Sequence, residues 1–302
     1  MQLQTRLLPA PPAPASYEPY RPALQPARRC LTVATAGDAA AGRRPDMQLE
    51  VVWARSAAEV RDAQRLRHRV FVEEMGACPV DARAAAAGLD RDRFDHYCDH
   101  LLVRLRGDGD GERPGGVIGT YRVLSPAGAS RAGGLYGDGE FDLSALAGIR
   151  RNTVELGRAC VHPAWRSGSV IMTLWSALGQ YMLANSLDTM IGCASISLAD
   201  GGGNARALWQ HLRTTHLAAP CWQVRPHHPL RLDVAADVDG TGAATRAHGP
   251  VATPPLIKGY LRCGARLLGP PAHDAAFNTA DLPMMMRLDD LAPRYRNHFL
   301  GR

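Results

Sequence analysis

The apolar residues Val60, Ala63, Leu66, Val70 and Phe71 fall near one face of a 3.6-residue period. That spacing predicts an amphipathic helix from Ser56 to about Met75. Ser56 followed by Glu59 has the form of a capping box, and Gly76 ends the helix. A strand is predicted before it, over Leu49–Ala54. After it, Cys78–Asp92 reads as an Ala-rich loop or short helix. His100–Arg106 and Val117–Leu124 read as a hairpin around the Gly- and Asp-rich turn Gly107–Gly116. Ser125–Arg151 shows no period and reads as a long loop, the kind that binds or moves. Thr153–Val161 is an apolar, β-prone run, stopped by His162-Pro163 because proline cannot donate to a ladder. Val170–Leu183 is an apolar helix, Thr189–Ser197 a strand and Asn204–Leu212 a further helix. Pro220–Pro255 is a Gly-, Pro- and His-rich excursion. Pro255–Arg262 begins a helix with proline in its first turn. Asp281–Leu288 reads as a late strand and Leu291–Phe299 as a short basic tail. The order β-α-β-β-β-α-β-α plus a late strand predicts an α/β fold, with helices flanking a mixed central sheet.

Ahead of Met47 the pattern disappears. Residues 1–46 hold eight prolines and ten alanines with no helical or strand period. They are expected to form an unordered extension on one domain spanning 47–302. They lack the compact apolar stretch of a secretory leader, and Met47 is an alternative start. No apolar run approaches the ~20 residues of a bilayer span. The expected location is cytoplasmic, with peripheral contact to the inner face of the cytoplasmic membrane as an open alternative. Hydrophobic residues make up 46% of the chain, enough for a packed core. The net charge of +6 is a mild bias. It excludes a dedicated nucleic-acid binder and suits an acidic protein partner or an anionic surface. Seven cysteines, an odd number with no C-x-x-C pair, read as reduced thiols. Cys221, His227 and His228 lack zinc-site spacing, so no metal is expected.

Candidate chemistry concentrates between Glu155 and Ile171. Here a buried strand meets the turn Arg166-Ser167-Gly168-Ser169 and then an apolar helix. A small-residue turn at a helix N-terminus presents backbone N–H groups and the positive end of the helix dipole, and together these hold a phosphate. Glu155 and Arg158 lie on the strand feeding that turn. A carboxylate in an apolar strand has a raised pKa unless paired, which makes Glu155 the candidate general base. Residues three apart on a regular strand face opposite ways, so an ion pair between Glu155 and Arg158 needs a bulge. His100 reads as a structural histidine or a second acid–base group. Tyr181 reads as a core tyrosine or a proton donor.

Val161-His-Pro-Ala-Trp-Arg-x-Gly resembles the strand-to-helix phosphopantetheine loop of the GCN5-related N-acyltransferases. The resemblance implies that Val161, Arg166, Ser167, Gly168, Ser169 and Val170 cradle a phosphopantetheine arm. The family's usual loop has more glycine, and the difference argues against acetyl-coenzyme A as donor. A longer ordered set runs from Leu66-Arg67-His-Arg69-Val-Phe71-Val-Glu73-Glu74 through Phe94-Asp95, Cys98-Asp99-His100 and Gly119-Thr-Tyr-Arg122. It continues with Glu140-Phe-Asp-Leu-Ser144, Glu155-Leu-Gly-Arg158, Gly192-Cys-Ala-Ser195 and Pro255-Leu-Ile-Lys258-Gly-Tyr-Leu-Arg262. This set resembles the bacterial L-ornithine N-alpha-acyltransferases over roughly Leu49–Phe299. The resemblance implies transfer of a 3-hydroxyacyl chain from acyl carrier protein to the α-amine of L-ornithine, giving lyso-ornithine lipid with no bound cofactor. Arg67, Phe71, Asp92, Asp95, Arg122, Phe141, Glu155 and Arg158 are also similar, in order and spacing, to the ion network of the acyl-homoserine-lactone synthases. Val154 stands where that family has tryptophan, and Gly157-Arg158-Ala159 where it has Ser-Arg-Phe, which argues against lactone synthesis.

From these resemblances Glu155, Arg158 and Asp95 are expected to be catalytic, and Arg67, Phe71, Asp92 and Arg122 to bind substrate. An arginine fork suits the ornithine carboxylate and an aspartate its side-chain ammonium. Arg122 or Arg158, and Asp92 or Asp95, are the candidates. Docking of an acidic carrier protein would use Arg65, Arg67 and Arg69, or Lys258, Arg262 and Arg266. The rival readings are another carrier-dependent amine acyltransferase, such as a signal synthase, and a non-catalytic acyl-carrier or lipid-binding protein. Retention of Glu155, Arg158 and the anion turn speaks against the last.

Overall fold

The computed structural model describes residues 29–32, 48–105, 116–166, 168–231 and 251–300. Strand begins earlier than expected. Arg29–Thr32 (β1) pairs antiparallel with Gln48–Trp53 (β2), Arg29 facing Val51 and Thr32 facing Gln48. The expectation of an unordered extension through residue 46 fails at these four residues. Cys-Leu-Thr is β-prone, and the outer edge of β2 offers backbone groups that need partners. The rest of residues 1–47 lies outside the described residues.

Helix α1 (Ala57–Arg67) starts as its cap predicts, Ser56 Oγ accepting the Glu59 N–H at 3.2 Å. The Glu59 carboxylate reaches back one residue further than a regular box, to the Arg55 N–H at 2.6 Å. The helix runs on through a π-wound segment, His68–Glu74, and stops at Gly76, whose φ is +73°. Helix α2 (Ala82–Ala86) and a 3-10 turn (Arg93–Tyr97) precede the predicted hairpin of β3 (Asp99–Leu105) and β4 (Val117–Leu124). Residues 106–115 of its turn lie outside the described residues.

Ser125–Arg151 is not the loop the sequence suggests. It contains α3 (Pro126–Ala132), β5 (Phe141–Asp142) and a 3-10 segment, Ser144–Asn152. These pieces are too short to imprint a period, and they are held down by buried Phe141, Leu143 and Leu146. Then follow β6 (Thr153–Val161), α4 (Ser169–Ala184), β7 (Thr189–Ser197) and α5 (Gly203–Thr215), near their expected bounds. Within the 220–255 excursion, β8 (Arg225–Pro226) pairs with β5, and residues 232–250 lie outside the described residues. The chain ends with α6 (Pro255–Cys263), β9 (Arg266–Leu267), β10 (Ala272–Asp274), β11 (Thr279–Arg287) and α7 (Pro293–Leu300).

The main sheet runs β1-β2-β3-β4-β6-β7-β11-β10, with β9 on β11. Its neighbours are antiparallel except β6 and β7, which run parallel and pair only over Thr153–Glu155 and Thr189–Ile191. Beyond that point β6 pairs with β4 alone and β7 with β11 alone, so the seam opens into a cleft. Gly192 lets the strands pass closely just before they part, since a Cβ there would stand 2.4 Å from the Leu156 carbonyl oxygen. On one face, Val170, Leu174, Leu178 and Met182 of α4 pack on Leu101, Val103, Tyr121 and Val154. Gly119 admits the helix, because its Cβ would lie 2.6 Å from Val170 Cγ1. Each such fully buried aliphatic side chain stabilises the fold by about 1.5–3 kcal/mol. On the other face, Phe94, Leu124, Phe141, Leu146 and Ile191 form a second core beneath the α3–β5 region. No helix among the described residues is long and apolar enough to cross a membrane.

Candidate active site

The open face of the seam is shaped by a bulge in β6. Thr120 pairs with Cys160 and Arg122 with Gly157, which leaves Arg158 and Ala159 together opposite Tyr121. Arg158 takes the left-handed conformation, φ +50°, uncommon for a residue with a side chain. The extra residue re-aims the strand. Glu155 and Arg158 therefore share the face away from α4, as the sequence argument required of any contact between them. They do not pair with each other.

Arg158 joins a buried ion network instead. Its Nη2 donates to Asp92 Oδ2 at 3.2 Å, and its Nε lies 3.5 Å from Asp90 Oδ2. Arg122 Nη1 donates to Asp92 Oδ1 at 2.6 Å and to Asp95 Oδ1 at 3.2 Å. Arg67, 1% exposed, donates through Nη1 and Nη2 to the two oxygens of Asp95, each at 2.8 Å, and through Nε to Asp90 Oδ2 at 2.7 Å. Gln64 and the Asp92 N–H also donate to Asp95. Burial pushes the Asp92 and Asp95 carboxyls up, but the neighbouring arginines outweigh it and hold both below the ordinary carboxylate range. Three arginines thus balance three aspartates. Both oxygens of Asp95 accept from its neighbours, which makes it the hub of the network. The sequence reading omitted Asp90, whose isolated position in a loop gave no signal.

Glu155 stands apart from this network. Its Oε2 accepts the Tyr136 N–H at 2.5 Å and its Oε1 the Gly137 N–H at 2.7 Å. Burial pushes its carboxyl up to about 7, against the pull of those two N–H groups and of Arg122. A carboxyl poised there is a good proton acceptor near neutral pH. The residues that seat it lie in the segment taken for a loop, where Gly133, Gly134, Gly137 and Gly139 were the only clue. Phe71, half-buried, meets Phe277 edge to face at 5.9 Å, and the Phe277 ring lies 4.6 Å from the Arg158 guanidinium carbon. Phe277 sits in the β10–β11 turn, and the adjacent Ala276 carbonyl accepts the Cys78 N–H at 2.7 Å. That turn closes over the network from the far side of the sheet.

His100 and Tyr181 both lie in the interior. His100 is buried, its Nε2 3.0 Å from the Asp95 carbonyl oxygen, and burial lowers its pKa to about 4. Tyr181 donates to Asp99 at 2.8 Å in the α4 core and packs on Trp53. Among the described residues, no group of three or more His, Cys, Asp or Glu is placed to hold a metal ion.

The turn after β6 has a left-handed Gly168, φ +86°, ahead of α4, which carries no side-chain N-cap. The first turn of a helix is where an anion is favoured by the backbone N–H groups and the helix dipole. Val161 lines the approach, half-buried. Ser169 opens the helix, and Val170 is buried beneath it. Ser167 lies outside the described residues. Arg166 is not open to an anion as expected: its Nη1 and Nη2 donate to Glu74 at 2.6 and 2.7 Å, and its Nε to the Val161 carbonyl.

The acetyltransferase (GNAT) domain family matches residues 66–176, which contain the network, Glu155 and the turn. L-ornithine N(alpha)-acyltransferase of Brucella abortus (strain 2308) is 36% identical over 255 residues, covering 83% of this chain and 88% of that protein. The protein of the same name from Agrobacterium fabrum (strain C58 / ATCC 33970) is 36% identical over 260 residues, covering 84% and 85%. This chain belongs to the L-ornithine N(alpha)-acyltransferase family. It is an N-acyltransferase built on the GNAT fold. Among solved structures, the AHL synthase LasI is similar at a TM-score of 0.43 and 14% identity, covering 84% of this chain and 95% of that one. FeeM, an N-acyl amino acid synthase, is similar at a TM-score of 0.42 and 13% identity, covering 80% and 94%.

Proposed function

We propose that this N-acyltransferase moves a 3-hydroxyacyl chain from the phosphopantetheine arm of acyl carrier protein to the α-amine of L-ornithine, giving lyso-ornithine lipid. The names of the relatives, over most of this chain, support ornithine as acceptor. The observation that carries the chemistry is Glu155, a buried carboxyl with its pKa near 7, seated where β6 and β7 begin to part. The thioester enters the cleft from the turn at Gly168. Glu155 takes a proton from the substrate ammonium, directly or through one water. The freed amine attacks the thioester carbon; as the adduct collapses the C–S bond breaks, the second proton shed by the nitrogen goes to the departing sulfur, and the arm leaves as its free thiol beside the new amide. Arg158 is the arginine of the network that holds the acceptor carboxylate. Arg67, Arg122, Asp92 and Asp95 fix the position of Arg158, and Phe71 packs beneath the Phe277 turn that covers it.

The basic residues suited to an acidic carrier are narrowed by burial. Arg67 is interior and cannot dock a partner. Arg65 and Arg69 are exposed on the helix beside the donor turn, Arg69 Nη1 lying 3.0 Å from His162 Nε2. Lys258, Arg262 and Arg266 form a second exposed basic group around α6.

Incubation of the purified protein with 3-hydroxyacyl carrier protein and ornithine, followed by mass spectrometry, tests the reading. An N-α-acyl-ornithine product is expected. In a parallel incubation with S-adenosylmethionine, a lactone formed while ornithine stays unacylated would overturn it. The donor is tested separately. Free acyl-coenzyme A is expected to serve poorly beside the carrier thioester, and equal efficiency would remove the carrier protein from the proposal. Gly168→Val, strained at a positive φ, is expected to raise the donor KM and leave the ornithine KM in place.

A further inference from the structure

Beyond Arg158, on the same face of the sheet, lie three acids that form no ion pair with an arginine or lysine among the described residues. Asp281 on β11 stands directly across the ladder from Ser195 on β7, and Asp274 on β10 stands across from Thr279. Asp281 is 4% exposed. It accepts the Thr279 hydroxyl at 2.8 Å and a further bond from Ser195. Glu140, beside the start of β5, lies close enough to Asp274 and Asp281 to feel their charge, and Tyr136 is flanked by all three acids and by Arg158. Burial and then mutual repulsion push the Glu140 and Asp281 carboxyls up. None of the three makes an ion pair among the described residues, whereas Asp90, Asp92 and Asp95 each have an arginine. Among the described residues no set of three acids, histidines or cysteines is placed to share a metal ion.

A second observation points into the same recess. The Arg158 side chain is only 10% exposed, and its Nε is buried without a hydrogen-bond partner. Its guanidinium carbon lies 4.6 Å from the Phe277 ring and 5.6 Å from the Tyr136 ring, within charge range of Asp281. The recess therefore has at one end a buried guanidinium, whose Nε lies against Asp90 and whose Nη2 bonds Asp92, and at the other carboxylates that form no ion pair. A buried carboxyl such as Asp281 that has no ion pair is costly to ionise, and a ligand that brings a cation relieves it. A diamino acid has the complementary layout, with a carboxylate at one end, an ammonium at the tip of a short side chain, and the reacting amine between.

We propose that Asp281, assisted by Asp274 and Glu140, reads the side-chain ammonium of the acceptor and so makes the enzyme selective for a basic amino acid over a neutral one. This assignment rests on the acyltransferase reading above. It replaces Asp92 and Asp95, whose oxygens the arginines already occupy, as the ammonium site.

The test compares ornithine with norvaline, which has the same carbon chain without the side-chain amine. Steady-state kinetics would use whichever acyl thioester the full-length protein accepts, with wild type, Asp281→Asn and Glu140→Gln. Wild type is expected to prefer ornithine. The ornithine-over-norvaline ratio of kcat/KM should fall about 10–100-fold in Asp281→Asn, the range of one charged hydrogen bond, with the loss in the ornithine KM. Glu140→Gln should lower it less. Asparagine keeps an oxygen for the Thr279 hydroxyl, and Glu140 is only half-buried, so the second variant reports even where the first folds poorly. An unchanged ratio in both variants overturns this assignment and leaves the enzyme reading standing. Wild type that acylates neither amino acid overturns both.

Discussion

Gly137 and Glu155 are fitted to each other. The Gly137 N–H donates to Glu155 Oε1 at 2.7 Å, and a Cβ on Gly137 would stand 2.9 Å from that same oxygen. The carboxylate is thus seated by backbone that has no room for a side chain.

Gly137→Ala is expected to push the Glu155 carboxylate aside without touching substrate. kcat should fall about tenfold or more, since a displaced base is a poor one. Acceptor KM should change little. Unchanged kcat, measured on protein with wild-type circular dichroism, would count against this seating.

Glu155→Gln is expected to lower turnover by about two orders of magnitude or more, the range for loss of a general base. It should also lower Tm, because its NH2 group must face one of the two N–H donors that Glu155 now satisfies. The diagnostic is the pH profile. In wild type kcat/KM should rise through about pH 7 as the carboxyl ionises. A variant that keeps that rising limb would remove Glu155 from the role.

Arg67→Lys conserves charge and loses the fork. One ammonium cannot span Asp90 and both oxygens of Asp95. Breaking a buried network of this kind costs about 3–5 kcal/mol. Denaturant unfolding should show that loss, and a shift under about 1 kcal/mol would mean the network is looser than its geometry.

Asp99 links stability to pH. Burial pushes its carboxyl from the ordinary 3.8 up to about 7, against the Tyr181 hydrogen bond. Above pH 3.8 the unfolded chain gives up a proton that the folded state keeps. The contribution is therefore full below that pH and is lost as pH rises through about 7. Tm should fall between pH 5 and pH 8, and Asp99→Asn should make that fall shallower, with Glu155 supplying the part that remains. Parallel Tm curves for the two proteins would show that Asp99 carries no such linkage.

The elements that were legible in the sequence are those with room for a period. The 16-residue α4 and the nine-residue β6 and β7 each bury enough apolar positions to declare themselves. β5, with two residues, and the 3-10 turns cannot do so, although they seat Glu155 and carry Phe141. Glu155 stood out because a carboxylate in an apolar run needs a reason. The bulge at Arg158 did not, because nothing in Leu156-Gly157-Arg158-Ala159 specifies which residue is extra. Arg67 is expected from the sequence both in an ion network and as a docking cation, and only its partners, 23 and 28 residues away, decide for the interior. Asp281 reads only as the first residue of a late strand, since its neighbours across the ladder on β7 belong to a distant segment.

The β7–β11 ladder, nine residue pairs long, also sets an order of events during synthesis. The half of the seam that carries the donor turn is complete once α4 has emerged from the ribosome, whereas β7 waits for the end of the chain to cover its outer edge. Until then that edge, with Met190, Ile191, Ala194 and Ile196 along it, is an open template for strand pairing with another nascent chain. Folding of such long-range pairs is slow. A chain shortened from its C-terminus should therefore aggregate instead of yielding a smaller active domain, and yield on expression should depend on the last strand more than on anything before β2.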